Sequence, residues 1–147
     1  MPLAVFLGTI LLNVVAFPPL KAPEAAYVFC VPALLWAYRR PNFKLFAGVM
    51  LGSQIVTWMI LLFWLHNATW PGYLLLAPVA GLWVGSWFLL AYWVMPRLLG
   101  LRAIHRLFGI AGLAAAWVLI EWTRTWFLSG FPWLPLSASQ WERSAVL

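Results

Sequence analysis

The stretch "FKLFAGVMLGSQIVTWMILLFWLHNATWPGYLLLAPVAGLWVGSWFLLAYWVMPR", Phe43–Arg97, decides the fold. Between Lys44 and Arg97 it contains no Asp, Glu, Lys or Arg. It breaks once, at "HNATWPG" (66–72), where Asn, Thr, Pro and Gly gather. The two halves, 43–65 and 72–96, each exceed the roughly 20 apolar residues a helix needs to cross the hydrocarbon of a bilayer.

The rest of the chain has the same character. Of 147 residues 65% are hydrophobic and 8% charged, against about 25% charged in an ordinary soluble domain. A buried core needs a polar surface around it, so an excess of this size means that lipid is the solvent over most of the surface. The 12 tryptophans suit a bilayer, whose interfaces favour amphipathic rings. A net charge of +6 raises the possibility of a nucleic-acid partner, but the basic residues form no dense face and cluster in two loops instead. No nucleic-acid partner is expected. Cys30 is the single cysteine, which excludes an internal disulfide or a cysteine metal cluster. In "YVFCVPALLW" it reads as a small inert hydrophobe. His66 and His105 stand alone, without a second ligand at metal spacing, so no metal or cofactor is expected. The first 20 residues lack Lys and Arg and a small-x-small cleavage site, which favours a retained membrane helix over a removed signal peptide.

Five apolar segments, at about 3–17, 24–38, 43–65, 72–96 and 107–128, predict an all-α, polytopic transmembrane bundle of about five spans. A segment at 129–147 follows, outside the last helix. The first two segments are short and are joined by the proline-rich "FPPLKAPE" (17–24); two spans are expected there. "RRPNFK" (39–44) carries Arg39, Arg40 and Lys44, and "RLLGLRAIHR" (97–106) carries Arg97, Arg102 and Arg106. The alternate loops hold only Lys21, offset by Glu24. The positive-inside rule then predicts a cytoplasmic N-terminus, both basic loops in the cytoplasm and 129–147 on the outer face. Gly48 and Gly52, and Ala77, Gly81 and Gly85, recur every four residues and predict close helix packing. Pro32 and Pro78 are expected to kink their helices. Asn67-Ala68-Thr69 is a lone glycosylation sequon of little weight.

Charge returns at Glu121 and Arg124, three apart on one helix face and able to pair. Either alone in mid-membrane costs at least ~2.5–3.5 kcal/mol, so such residues face a partner or a wet cavity. Arg124, near the outer end, can also snorkel to phosphates. Two readings stay open: a structural ion pair, or a functional site. Gly130 can end the helix, and Pro132 stops Phe131 from continuing it. Trp126, Trp133 and Trp141 then gather at the outer interface, with Ser129, Ser137, Ser139 and Gln140 as neutral hydrogen-bonding groups. The resulting aromatic, polar ledge suits a phospholipid headgroup or acyl chain. The platform candidates are Glu121, Arg124, Trp126, Phe131, Pro132, Trp133 and Gln140; none is read as catalytic.

"EWTRTWFLSGFPWLPLSASQ" (121–140) resembles the end of the membrane domain of the apolipoprotein N-acyltransferases, with Glu-x-x-Arg at Glu121 and Arg124, Ser-Gly-Phe-Pro-Trp at Ser129–Trp133 and Ser-Gln at Ser139 and Gln140. "AFPP" at Ala16–Pro19 is similar to the turn after the family's first helix, and the order of helices agrees along the whole chain. "PLSASQ" departs from the family, which more often has Gly or an aromatic before Ser-Gln. The resemblance implies a bacterial inner-membrane protein engaged with phospholipid and lipoprotein. The family transfers an acyl chain from phospholipid to the amino group of a lipoprotein's diacylglyceryl-cysteine, through a thioester on a cysteine helped by a glutamate and a lysine. Those residues belong to a nitrilase-like domain downstream of the quoted block and match no position here. The resemblance therefore leads to the expectation of a truncated or split membrane domain, not catalytic alone, with a separate or downstream nitrilase-like domain as partner. The alternative is a stand-alone scaffold or transporter-like subunit in which Glu121 and Arg124 line a pathway.

Overall fold

The computed structural model describes residues 1–127 and 134–142. Its helices are α1 (Pro2–Val15), α2 (Val31–Tyr38), α3 (Phe43–Leu61), α4 (Trp70–Leu98) and α5 (Ala103–Arg124). Short 3-10 turns lie at Pro23–Tyr27, Phe63–Asn67 and Leu136–Gln140. There is no strand among the described residues.

The α3–α4 hairpin is the frame. Asn42 caps α3, its Oδ1 accepting from the Lys44 N–H at 2.9 Å and the Leu45 N–H at 3.4 Å. Thr69 caps α4, its Oγ1 accepting from the Gly72 N–H at 3.3 Å. Such caps occupy N–H groups that a helix start leaves free. The small-residue row of α4 is where the two helices touch. A Cβ on Gly81 would lie 2.7 Å from the Gln54 carbonyl oxygen, and one on Gly85 would lie 2.8 Å from Leu51 Cδ2. The row on α3 serves a different neighbour: Gly52 faces the ring of Phe6 on α1, and Gly48 faces open space.

Three helices, α3, α4 and α5, have the length and apolarity to cross a membrane. The expected second segment is not one helix. Residues 24–38 form a 3-10 turn, an irregular link and the eight-residue α2. At 1.5 Å per residue α2 advances only about 12 Å and α1 about 21 Å, both short of the ~30 Å hydrocarbon. Prolines at 18, 19, 23 and 32 punctuate this run, and each removes a backbone donor. Pro32 lies in the first turn of α2, where a missing N–H costs nothing, so it starts a helix instead of kinking one. α4 continues as a helix through Pro78. Even so, α1 and α2 run out and back: the Arg39 guanidinium reaches Met1 Sδ at 3.0 Å.

An aromatic core joins the pieces. Phe29 packs edge-on against Phe88 and Trp117, and Trp87 against Trp117 at 5.3 Å. α5 lies on the outside, with only Leu113 and Arg124 of the helix buried. Trp87 Nε1 donates to the Leu113 carbonyl at 2.8 Å, and Trp83 Nε1 to that of Ile120 at 3.2 Å. These two indole N–H groups, which would otherwise be stranded in an apolar layer, thus tie α5 to α4.

The ends of the bundle differ in charge. Tyr92 Oη donates to the Pro41 carbonyl at 2.7 Å and Phe43 stacks on Trp93. Arg39, Arg40, Lys44, Arg97, Arg102 and Arg106 therefore fall at one end, with Met1. Glu24, Glu121 and Glu142 fall at the other.

Candidate functional site

At the opposite end, where the glutamates lie with Lys21 and Arg124, the chain returns over the bundle. Leu134 has a left-handed backbone (φ 53°), and Pro135 is extended at φ −60° and ψ 155°. The 3-10 turn Leu136–Gln140 follows, closed by Ala138 N–H donating to the Pro135 carbonyl at 2.8 Å and Ser139 Oγ–H to that of Leu136 at 2.7 Å. Residues 134–142 form a strap.

Glu121 and Arg124, in the last turn of α5, both grip this strap. Glu121 Oε1 accepts from the Leu136 N–H at 2.6 Å. Arg124 Nη2 donates to the Leu134 carbonyl at 3.5 Å, and its guanidinium lies 4.5 Å from the Trp58 ring centroid. No direct salt bridge joins the two side chains. The pairing allowed by their spacing gives way to separate backbone partners, which appear only when residues ten or more positions later fold back. Arg124 is also only 5% exposed, so it is covered by protein and does not reach outward. Among the described residues its Nε and Nη1 have no hydrogen-bond partner, and neither does Trp58 Nε1.

Gln140, 5% exposed, fastens the far end of the strap. Its Nε2 donates to the Pro23 carbonyl at 2.8 Å, and its Oε1 accepts from Tyr27 Oη at 3.2 Å. Lys21 and Glu142 close the edge with a 3.1 Å salt bridge, and Lys21 sits over the Trp141 ring. Trp126 and Trp141 are 59% and 58% exposed and present their rings outward. Phe131, Pro132 and Trp133, with Ser129 and Gly130, lie outside the described residues.

Two spaces border the strap. A cleft of about 350 Å³ is lined by Lys21, Glu24, Ser139, Trp141 and Glu142. Beneath the strap, Asn13, Trp58, Trp117 and Glu121 surround a void of about 10 Å³. A shallow, largely apolar groove of about 460 Å³, bordered by Leu82, Trp83, Ile120 and Thr123, runs between α4 and α5.

A buried polar seam adjoins the void. It comprises Thr9 and Asn13 of α1 and Ser53, Gln54 and Thr57 of α3. Asn13 Nδ2 donates to Gln54 Oε1 at 3.5 Å. Sequence reading passed over these residues, although Thr9/Asn13 and Ser53/Thr57 each lie four apart on one helix face, a pattern that marks polar contacts between helices in lipid. Cys30 is half-buried beside α2. His66 Nδ1 meets the Phe63 carbonyl, and its ring stacks between Phe63 and Trp70. Among the described residues no three His, Cys, Asp or Glu side chains gather as a metal site.

The family model for the apolipoprotein N-acyltransferase N-terminal domain matches residues 10–147. No curated protein and no solved structure matches the chain. The matched span takes in the end of α1 and all of α2 to α5, together with Glu121, Arg124, Ser139 and Gln140, and the chain belongs to the apolipoprotein N-acyltransferase N-terminal domain family.

Proposed function

We propose that this chain is the membrane domain of an apolipoprotein N-acyltransferase, a platform that presents phospholipid and lipoprotein to a nitrilase-like catalytic domain on the outer face of the bacterial inner membrane. The observation that carries the reading is the strap. The Glu-x-x-Arg and Ser-Gln elements of the family pattern, 15 or more residues apart, meet at one end of the bundle and fasten the same segment.

The overall reaction moves an acyl group from a glycerol ester to a cysteine thiol, releasing lysophospholipid, and then from the thioester to the lipoprotein amine, regenerating the thiol. The thiol belongs to the catalytic domain; Cys30 sits in an apolar run without an acid–base setting. In this reading Glu121, Arg124 and Gln140 shape the strap, while Trp126 and Trp141 settle among headgroups. The cleft beside Lys21, Ser139 and Trp141 offers charge of both signs to a headgroup, and the α4/α5 groove suits an acyl chain. The N-terminus and the basic end face the cytoplasm. A transporter-like pathway is less well supported, because Glu121 is engaged with backbone and borders only the small void.

The test combines the purified chain with phospholipid and a diacylglyceryl-cysteine peptide, with and without a nitrilase-like domain of the family. N-acylated peptide is expected only when the domain is supplied. Product from the chain alone, abolished by Cys30→Ala, would overturn the reading.

A further inference from the structure

The basic end holds a second feature that the acyl-transfer reading does not use. Arg40, Tyr92, Trp93, Pro96 and Arg97 line a cleft of about 190 Å³ between the α2–α3 turn and the last turns of α4. Its walls are fixed. Tyr92 is tied to the Pro41 carbonyl and packs against Phe43 and Phe46, and Pro96 is buried. Arg40 takes a left-handed backbone (φ 49°) that turns the chain there. Arg97 lies over the Trp93 ring at 5.8 Å and donates one Nη1 hydrogen bond to the Trp93 carbonyl, which holds the guanidinium at the cleft. Trp93 is 50% exposed and provides the kind of ring that settles at a bilayer interface.

The charge balance is one-sided. Six Lys and Arg residues occupy this end, while Glu24, Glu121 and Glu142 are at the other, with Lys21 and Arg124. Among the described residues no carboxylate lies at this end. The positive-inside rule accounts for basic residues in these loops, but not for two of them walling a preformed cleft with an aromatic floor. A planar guanidinium pairs with phosphate through parallel N–H···O bonds, and basic pockets between membrane helices hold anionic headgroups.

We propose that this cleft is a binding site for the headgroup of an anionic phospholipid, its phosphate held by Arg40 and Arg97 and its glycerol region resting on Trp93 and Tyr92. The site is remote from the strap and stands whether or not the acyl-transfer reading holds.

The test is native mass spectrometry of the full chain in detergent, titrated with dioleoylphosphatidylglycerol, dioleoylphosphatidylcholine or inorganic phosphate. One phosphatidylglycerol is expected to stay bound at concentrations where phosphatidylcholine does not, and inorganic phosphate at equal concentration should not displace it. A basic residue near an anionic headgroup contributes enough that Arg40→Gln and Arg97→Gln should each weaken binding about fivefold, and the double variant about thirtyfold. The pair Arg39→Gln/Lys44→Gln removes the same charge outside the cleft and should weaken it less than about threefold. The single variants decide the matter if the double variant does not fold. Equal losses from both pairs, equal binding of the two lipids, or displacement by inorganic phosphate would each overturn the proposal.

Discussion

Replacing Glu121 separates the strap from the helices that carry it. Glu121 Oε1 accepts from the Leu136 N–H at 2.6 Å. Hydrogen bonds to a charged group contribute about 1.5–3 kcal/mol, and a buried donor left without a partner costs about 1–3 kcal/mol. Glu121→Leu should therefore favour local opening of residues 134–140 by roughly 1.5–3 kcal/mol, about tenfold to hundredfold in population. The α3–α4 hairpin, held by the Gly81 and Gly85 contacts, should be unaffected. Glu121→Gln keeps an acceptor oxygen and should remain within about threefold of the parent. The reporter is Ser139→Cys in a Cys30→Ala background, because Ser139 is only 6% exposed and a thiol there reacts only when the strap lifts. The assay is the rate of labelling by a membrane-impermeant maleimide in reconstituted vesicles. Parental rates in Glu121→Leu, or equal acceleration by the Gln variant, would refute the idea that this carboxylate fastens the strap.

Gly81→Ala places a Cβ 2.7 Å from backbone on α3 and should lower stability by about 1–3 kcal/mol, whereas Gly48→Ala, in open space, should be neutral or stabilising by up to ~1 kcal/mol; thermal unfolding in detergent distinguishes them. Cysteines placed at Asn42 and Leu101 should label from the cytoplasmic side and one at Ser137 from the outside. Labelling of Asn42 from the outside would overturn the proposed orientation.

The α3–α4 hairpin was legible because two uncharged runs of spanning length with one polar break leave little else to build in lipid. The row Ala77, Gly81 and Gly85 announced its contact for the same reason: only small residues permit that approach. Gly48 and Gly52 look identical in sequence, yet neither touches α4, since spacing marks a smooth face but not what lies across it. The division of residues 24–38 was hidden because apolar composition is indifferent to whether a run is one helix or two fragments. The prolines that divide it were visible, but their effect depends on whether each falls at a helix start or inside one. The separate engagement of Glu121 and Arg124 was beyond local reading, because their partners are carbonyl and amide groups of the strap that any residues could supply. The seam of Thr9, Asn13, Gln54 and Thr57 was written in the chain but becomes conspicuous only when α1 lies against α3.

The separation of charge along the bundle also has an electrical consequence. A cation moved across an energised membrane does work of about 2.3 kcal/mol per 100 mV. Carrying all six cations of the basic end to the opposite face would cost about 14 kcal/mol at that potential. In the proposed orientation, with that end on the negative side, the membrane potential opposes inversion of the helices, and dissipating it removes that part of the barrier.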